Sequence, residues 1–218
     1  MSAAAPVPQQ PDWNCPLCPR LVDFRAENRR SFPDWHNAPV PSFGPAEAGL
    51  LIVGLAPGLK GANRTGRPFT GDFAGDLLYR TLIEFGFAQG TYGQRPDDGL
   101  RLLDCRITNA VRCVPPENKP TPVEIKTCRS FLSSEIGAAS RLRAVLALGR
   151  IAHDSTVAAL GQRGPTLKFG HGARHDIAGA PTLFDSYHCS RYNTQTGVLT
   201  EKMFREVVGQ IRDFLAPR

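Results

Sequence analysis

The sequence predicts an α/β protein of three layers, α/β/α, with a central, mainly parallel four-stranded sheet. Three observations point there. Strand-like and helix-like segments alternate along the chain, with no internal repeat and no low-complexity linker. The run GLLIV at 49–53 reads as a buried strand and is followed, across one loop, by the helical pattern LLYRTLIEF. Two later helices carry start signals: Thr121-Pro122-Val123-Glu124 is a capping-box arrangement with proline at the first helical position, and Thr200 precedes EKMFREVVGQIRDFL. Strands separated by helices imply right-handed βαβ units with helices on both faces.

Taken in order, residues 1–12 are biased to Ala, Pro and Gln and read as a disordered lead-in. Residues 13–218 read as a single domain, long enough to bury a proper core. Strands are expected at 49–55, 102–111, 144–149 and 182–187, and helices near 75–87, 122–139, 150–161 and 201–215. In such sheets ligands sit beyond the carboxyl ends of the strands, so the loops that follow strands are the places to search.

Composition removes several function classes. Hydrophobic residues make up 41 % of the 218, but no apolar run approaches the roughly 20 residues of a membrane span. The start, MSAAAPVPQQPDW, has neither the basic nor the apolar region of a secretory signal, so a soluble cytosolic protein is expected. The formal charge of +6 permits a polyanionic partner without demanding one.

Of six cysteines, Cys15 and Cys18 form a CxxC placed before the first strand, where a thioredoxin-type redox pair does not belong. Cys113 follows a strand and Cys128 lies in the next helix, across a proline-rich loop. Two ligands three apart chelate through one turn, and two fifteen apart close the centre from the other side. Four thiolates suit structural zinc or a [4Fe–4S] cluster, and spacing does not separate the two. Cys105, inside a strand, reads as a core residue.

The loop from Gly54 to Asp72, GLAPGLKGANRTGRPFTGD, misses the spacing of a P-loop and of a dinucleotide fingerprint. It offers backbone N–H groups free of side-chain bulk, three cations (Lys60, Arg64, Arg67), one aromatic ring (Phe69) and one carboxylate (Asp72). Such a set is suited to stacking a flat heterocycle and acting on a bond beside it. The plain alternative has Phe69 filling the core and Asp72 capping the next helix. The last loop, SYHCSRYNTQTGVLT, places His188 at a strand's carboxyl end, followed by a polar run suited to gripping a nucleic acid or to forming an ordinary exposed turn.

Together these stretches resemble the uracil-DNA glycosylase superfamily, and within it family 5, the iron–sulfur type b enzymes. The resemblance runs from Cys15 to about Phe214. NRTGRPFTGD resembles the specific part of the family's first motif, ITNAVRCVPPENKPTPVEIKTC the strand and loop with a uracil-reading Asn and two cluster cysteines, and SYHCSRYNTQTG the second motif. Two departures stand out. Leu55 occupies the place of a polar residue in families 1 and 4, which argues against family 4, and Cys189 replaces the proline of the usual HPS.

The resemblance implies a monomeric DNA-repair glycosylase that removes uracil. Asp72, His188 and Asn109 are implied as catalytic. Gly54, Ala56, Pro57, Gly58 and Phe69, with Asn109 and His188, are implied to hold the base. Lys60, Arg64, Arg67, Ser190, Arg191, Tyr192 and Asn193 are implied to touch DNA, and Cys15, Cys18, Cys113 and Cys128 to bind one [4Fe–4S] cluster. A competing reading is a zinc- or cluster-bearing nucleic-acid-binding module without chemistry, which has no need of Asp72, Asn109 and His188 at three strand ends.

Overall fold

A computed structural model describes residues 7–162 and 167–216. Along the chain run α1 (Pro19–Ser31), β1 (Leu50–Gly54), the single turn α2 (Ala62–Thr65), α3 (Phe73–Glu84), β2 (Ala88–Gln89), β3 (Arg101–Leu102) and β4 (Cys105–Asn109). A 3₁₀ turn (Pro116–Asn118), α4 (Pro122–Ala138), β5 (Ala144–Leu148), α5 (Arg150–Ala159), β6 (Arg174–His175), β7 (Thr182–Ser186), α6 (Arg191–Gln195) and α7 (Glu201–Leu215) complete it.

The central sheet has the order β4-β1-β5-β7-β6. Its first four strands are parallel, as expected, and β6 adds a fifth, antiparallel edge strand. A two-residue strand has no alternation to read, so β6 is invisible in the sequence. What holds it is polar: the buried Asp185 carboxylate on β7 faces His153 Nδ1 of α5 at 2.8 Å and His175 Nε2 of β6 at 3.0 Å.

Side chains alternate between two cores, as the pleat requires. Leu50, Ile52, Leu146 and Phe184 face the α3 and α7 side, with Leu78, Phe204 and Val208. Leu51, Val53, Val145 and Leu183 face the α4 and α5 side, with Leu132, Ala152 and Val157. Strands β1, β5 and β7 are buried at every residue; β1 and β5 accordingly read as apolar runs, while β7 also buries Thr182, Asp185 and Ser186.

The two caps form as the sequence indicates. Thr121 Oγ1 accepts from Glu124 N–H while Glu124 reaches back to Thr121 N–H, and Thr200 Oγ1 accepts from Met203 N–H. Three expectations change. The strand expected at 102–111 is interrupted by Asp104, whose φ of +50° takes the backbone out of the extended region, so Leu102 pairs with Ala88 and the parallel strand starts at Cys105. Helix α1 was not foreseen: its charged residues blur the apolar stripe, although Pro19 just inside its start is a legible signal. In the expected lead-in, residues 1–6 lie outside the described residues, and Gln9 N–H and the Gln10 side chain bond to Ser134 and Glu135 of α4.

Candidate active site and cysteine centre

Parallel pairing puts the carboxyl ends of four strands on one edge. Register sets Gly54 beside Asn109, and Leu148 beside Ser186, two residues before His188. Beyond this edge opens a cleft of about 510 Å³, and Phe69, Asp72, Asn109 and His188 all line it, with Ala56, Gly58, Ser190 and Arg191.

Phe69 has a φ of +57°, a left-handed conformation that costs a bulky residue roughly 1–3 kcal/mol. The neighbouring backbone is correspondingly tied down. Tyr79 Oη donates to Pro68 O at 2.6 Å, Thr65 Oγ1 to Thr70 O at 3.1 Å, and Arg67 Nε to Thr70 Oγ1 at 2.7 Å. Gly54 makes room for the ring, since a Cβ there would collide with Phe69 and with Asn109 Oδ1. Asn109 is 5 % exposed, and its side-chain amide makes no hydrogen bond among the described residues, which leaves a donor and an acceptor facing the cleft.

The His188 imidazole lies 5.9 Å from the Phe69 ring and nearly parallel to it. A base sandwiched between two rings needs about 7 Å, twice an ordinary contact distance, so these two do not form a sandwich. Burial, with no carboxylate to offset it, pushes the imidazole down to about 4. His188 is therefore neutral at physiological pH and carries one N–H donor. Asn193 Nδ2 donates to the His188 carbonyl at 2.8 Å, while Ser190 Oγ caps α6 through Asn193 N–H.

Asp72 occupies the cap position of α3, but its carboxylate makes no capping bond to that helix. It turns toward the glycine loop and accepts from Ala62 N–H at 3.3 Å. Gly58 and Gly61 permit this approach, because a Cβ at either would run into the carboxylate. Burial raises the Asp72 carboxyl above its usual range, against the pull of the Ala62 and Gly58 amides and of Arg64. Three glycines of this loop, Gly54, Gly58 and Gly61, thus serve close approach to Asp72, Asn109 and Phe69.

Other assignments need correction. Arg67, implied as a phosphate contact, is 5 % exposed, and its two terminal nitrogens bond Asp98 at 2.8 and 2.7 Å, inside a cage of the Phe43, Tyr79 and Tyr92 rings. It is committed to the interior and has no reach to DNA. Gly54 and Pro57 are buried and are not among the residues lining the cleft, where Leu55, Ala56 and Gly58 stand. Lys60, Arg64, Arg191 and Tyr192 are exposed, and Arg191, which lines the cleft, lies over the Phe73 ring at 5.2 Å. The sequence reading also missed cleft residues Leu55, Ala62, Phe73, Ala74 and Asn118. Asn118 enters through consecutive left-handed residues, Glu117 and Asn118, and an Asn just before Lys-Pro is the available hint.

Cys15, Cys18, Cys113 and Cys128 line one small cavity, among Leu21, Val111 and Phe131. Burial pushes the Cys113 thiol up to about 12 and Cys128 to about 11, with the neighbouring cysteines adding to the rise. Arg25, 5 % exposed, points Nη1 at Cys113 Sγ (3.9 Å) and bonds Cys15 O (3.1 Å), with no carboxylate in ion-pair range among the described residues. A buried cation needs an opposite charge, which four neutral thiols do not supply. The donor set therefore fits an anionic four-thiolate centre. Cys105 and Cys189 are buried away from it in the main core.

No helix among the described residues is long and apolar enough to cross a membrane. The family model described as Uracil DNA glycosylase superfamily matches residues 41–212. The chain is 48 % identical to a Type-5 uracil-DNA glycosylase of Thermus thermophilus, over 89 % of this chain and 90 % of that protein. It is 40 % identical to a Type-5 uracil-DNA glycosylase of Pyrobaculum aerophilum, over 89 % and 86 %. A Type-4 uracil-DNA glycosylase of the same archaeon is 34 % identical over 71 % and 65 %. With the strand-end cleft, the four gathered cysteines and these similarities in place, the chain belongs to the uracil-DNA glycosylase superfamily, in its type-5 branch.

Proposed function

We propose that this protein is a monofunctional DNA-repair glycosylase that hydrolyses the N-glycosidic bond of uracil in DNA and leaves an abasic site. The observation that carries the reading is the unpaired, nearly buried Asn109 amide in a cleft shared with Phe69, Asp72 and His188. A nucleic-acid-binding module without chemistry has no use for an unbonded amide and a desolvated carboxylate in one cleft. A flipped base stacks on Phe69 and hydrogen-bonds through its Watson–Crick edge to Asn109. As the bond between C1′ and N1 breaks, negative charge collects on the base and positive charge on the sugar. The neutral His188 imidazole donates to the base O2, as an oxyanion-hole donor does. Asp72 in its carboxylate form faces the sugar, offsets the oxocarbenium charge and orients the water that adds to C1′. The water's oxygen ends on C1′, one proton remains on the new hydroxyl, and the other leaves to the base or to solvent.

Lys60, Arg64 and Arg191 contact phosphates, which position the duplex, and the exposed Tyr192 enters the gap left by the flipped nucleotide. The protein works as a monomer in the cytosol, with residues 13–218 as one glycosylase domain. Cys15, Cys18, Cys113 and Cys128 hold a [4Fe–4S] cluster that clamps the N-terminal segment to the proline-rich loop, a structural role, since the hydrolysis moves no electrons. Single-turnover incubation with a uracil duplex, followed by alkali, tests the activity: strand cleavage at the uracil position is expected, and intact strands refute it. Brown protein with iron and sulfide in equal amounts is expected, and a colourless protein with one zinc removes the cluster assignment alone.

A further inference from the structure

We propose that Tyr92 is a positioning residue for the base-stacking ring: its hydroxyl holds the Phe69 peptide in the left-handed turn that aims the ring into the cleft. The inference rests on the reading of Phe69 as the stacking platform. Tyr92 does not line the cleft and belongs to a separate loop between β2 and β3. Its Oη donates to Phe69 O at 3.0 Å. The bond is routed over α3 at Gly75, where a Cβ would collide with both Phe69 O and Tyr92 Oη. Gly75 thus keeps open the only straight path from that hydroxyl to that carbonyl.

The Tyr92 loop is itself fixed from the same side. Asp98 accepts from Gly93 N–H at 2.8 Å and Leu100 N–H at 3.0 Å, and holds both terminal nitrogens of Arg67. Arg67 in turn lies over the Tyr92 and Tyr79 rings, themselves 4.6 Å apart. One buried ion pair therefore joins the segment before Phe69 to the loop that carries Tyr92, and Arg67 Nε reaches Thr70 Oγ1 on the other side of Phe69. A non-glycine residue at positive φ persists only where its surroundings over-determine it. Tyr79 secures the peptide before Phe69, and Tyr92 secures the peptide that Phe69 itself carries.

The test is a double-mutant cycle in the full-length protein. Tyr92→Phe removes one hydroxyl and is expected to slow single-turnover uracil excision about tenfold, as small misplacement of a positioning group does, with DNA affinity within about twofold of wild type. In the Phe69→Ala background the same change is expected to have no further effect on rate, because the group it positions is gone. An unchanged rate in Tyr92→Phe, or the same loss in both backgrounds, overturns the proposal. A second readout does not depend on activity. In protein with ring-labelled phenylalanine, the Phe69 signals, assigned by their loss in Phe69→Ala, should shift and broaden in Tyr92→Phe. Unchanged signals refute the positioning role whatever the excision assay gives, and a wild-type protein that leaves uracil intact refutes the glycosylase reading alone.

Discussion

The cleft and the cysteine corner are both assembled from distant segments, yet they are held in opposite ways. Asn109, Asp72 and His188 stand on strand ends and a glycine loop whose positions follow from sheet register, and the groups facing the cleft are unbonded, desolvated or strained. The corner has no strand pairing. Cys18 starts α1, Cys128 sits in α4, and among them lie a few apolar side chains and the buried Arg25. The difference teaches that the sheet can carry poorly satisfied groups because it is stable without them, whereas the corner, beyond the Arg20–Glu124 pair between α1 and α4, depends on whatever bridges its sulfurs.

Five experiments break or sharpen that contrast, the largest expected effect on the site first. Cys113→Ser should abolish visible absorbance and speed amide exchange through Pro19–Ser31 by more than about 10³-fold, while Leu50–Gly54 and Ala144–Leu148 stay protected. Uniform loss of protection would show that corner and sheet unfold as one unit. Next, Asp72→Asn should fold normally and bind uracil DNA, because Asn still accepts from Ala62 N–H, yet excise uracil slower on the order of 10³-fold. Near-normal excision would leave Asp72 only its contacts to the loop.

His188→Ala should lower the single-turnover rate by about 10²-fold with little change in DNA affinity. Equal losses in both would mark a binding residue. Its charge state gives a pH test. With a native value of about 4, below the ordinary 6.5, the imidazole signals should not titrate between pH 8 and 5. A depressed native value means the unfolded chain takes up the proton first, so this group removes stability as pH falls from 6.5 toward about 4. A midpoint near 6.5 would contradict the burial. The smallest effect on DNA binding separates two neighbouring arginines. Arg64→Gln should reduce the salt slope of DNA binding by about one, whereas Arg67→Gln should leave the slope alone and lower stability by about 3–5 kcal/mol by orphaning Asp98. Equal slopes for the two variants would refute the division.

Much of the fold was legible. The segments expected as strands at 49–55, 144–149 and 182–187 became β1, β5 and β7, and Thr121 and Thr200 became caps, because strand-forming residues and caps leave local marks in residue type. The cleft was legible through resemblance: Phe69, Asp72, Asn109 and His188 do converge. Asn118 was not, since an Asn before Lys-Pro marks a turn but not that the turn folds over the cleft.

The sequence by itself determined the alternating α/β plan, the loops that bear the site and the cysteines of the corner, since each is written in neighbouring residues. Tertiary structure alone decided which arginine of NRTGR faces solvent and which is caged, that Asp72 turns from its own helix to the glycine loop, and that β6 joins the sheet through Asp185. The physical reason is common to all three. A charged side chain goes where a partner and the space to reach it coincide, and here Asp98, Gly61 and His175 come from other parts of the chain, brought close only by the finished fold.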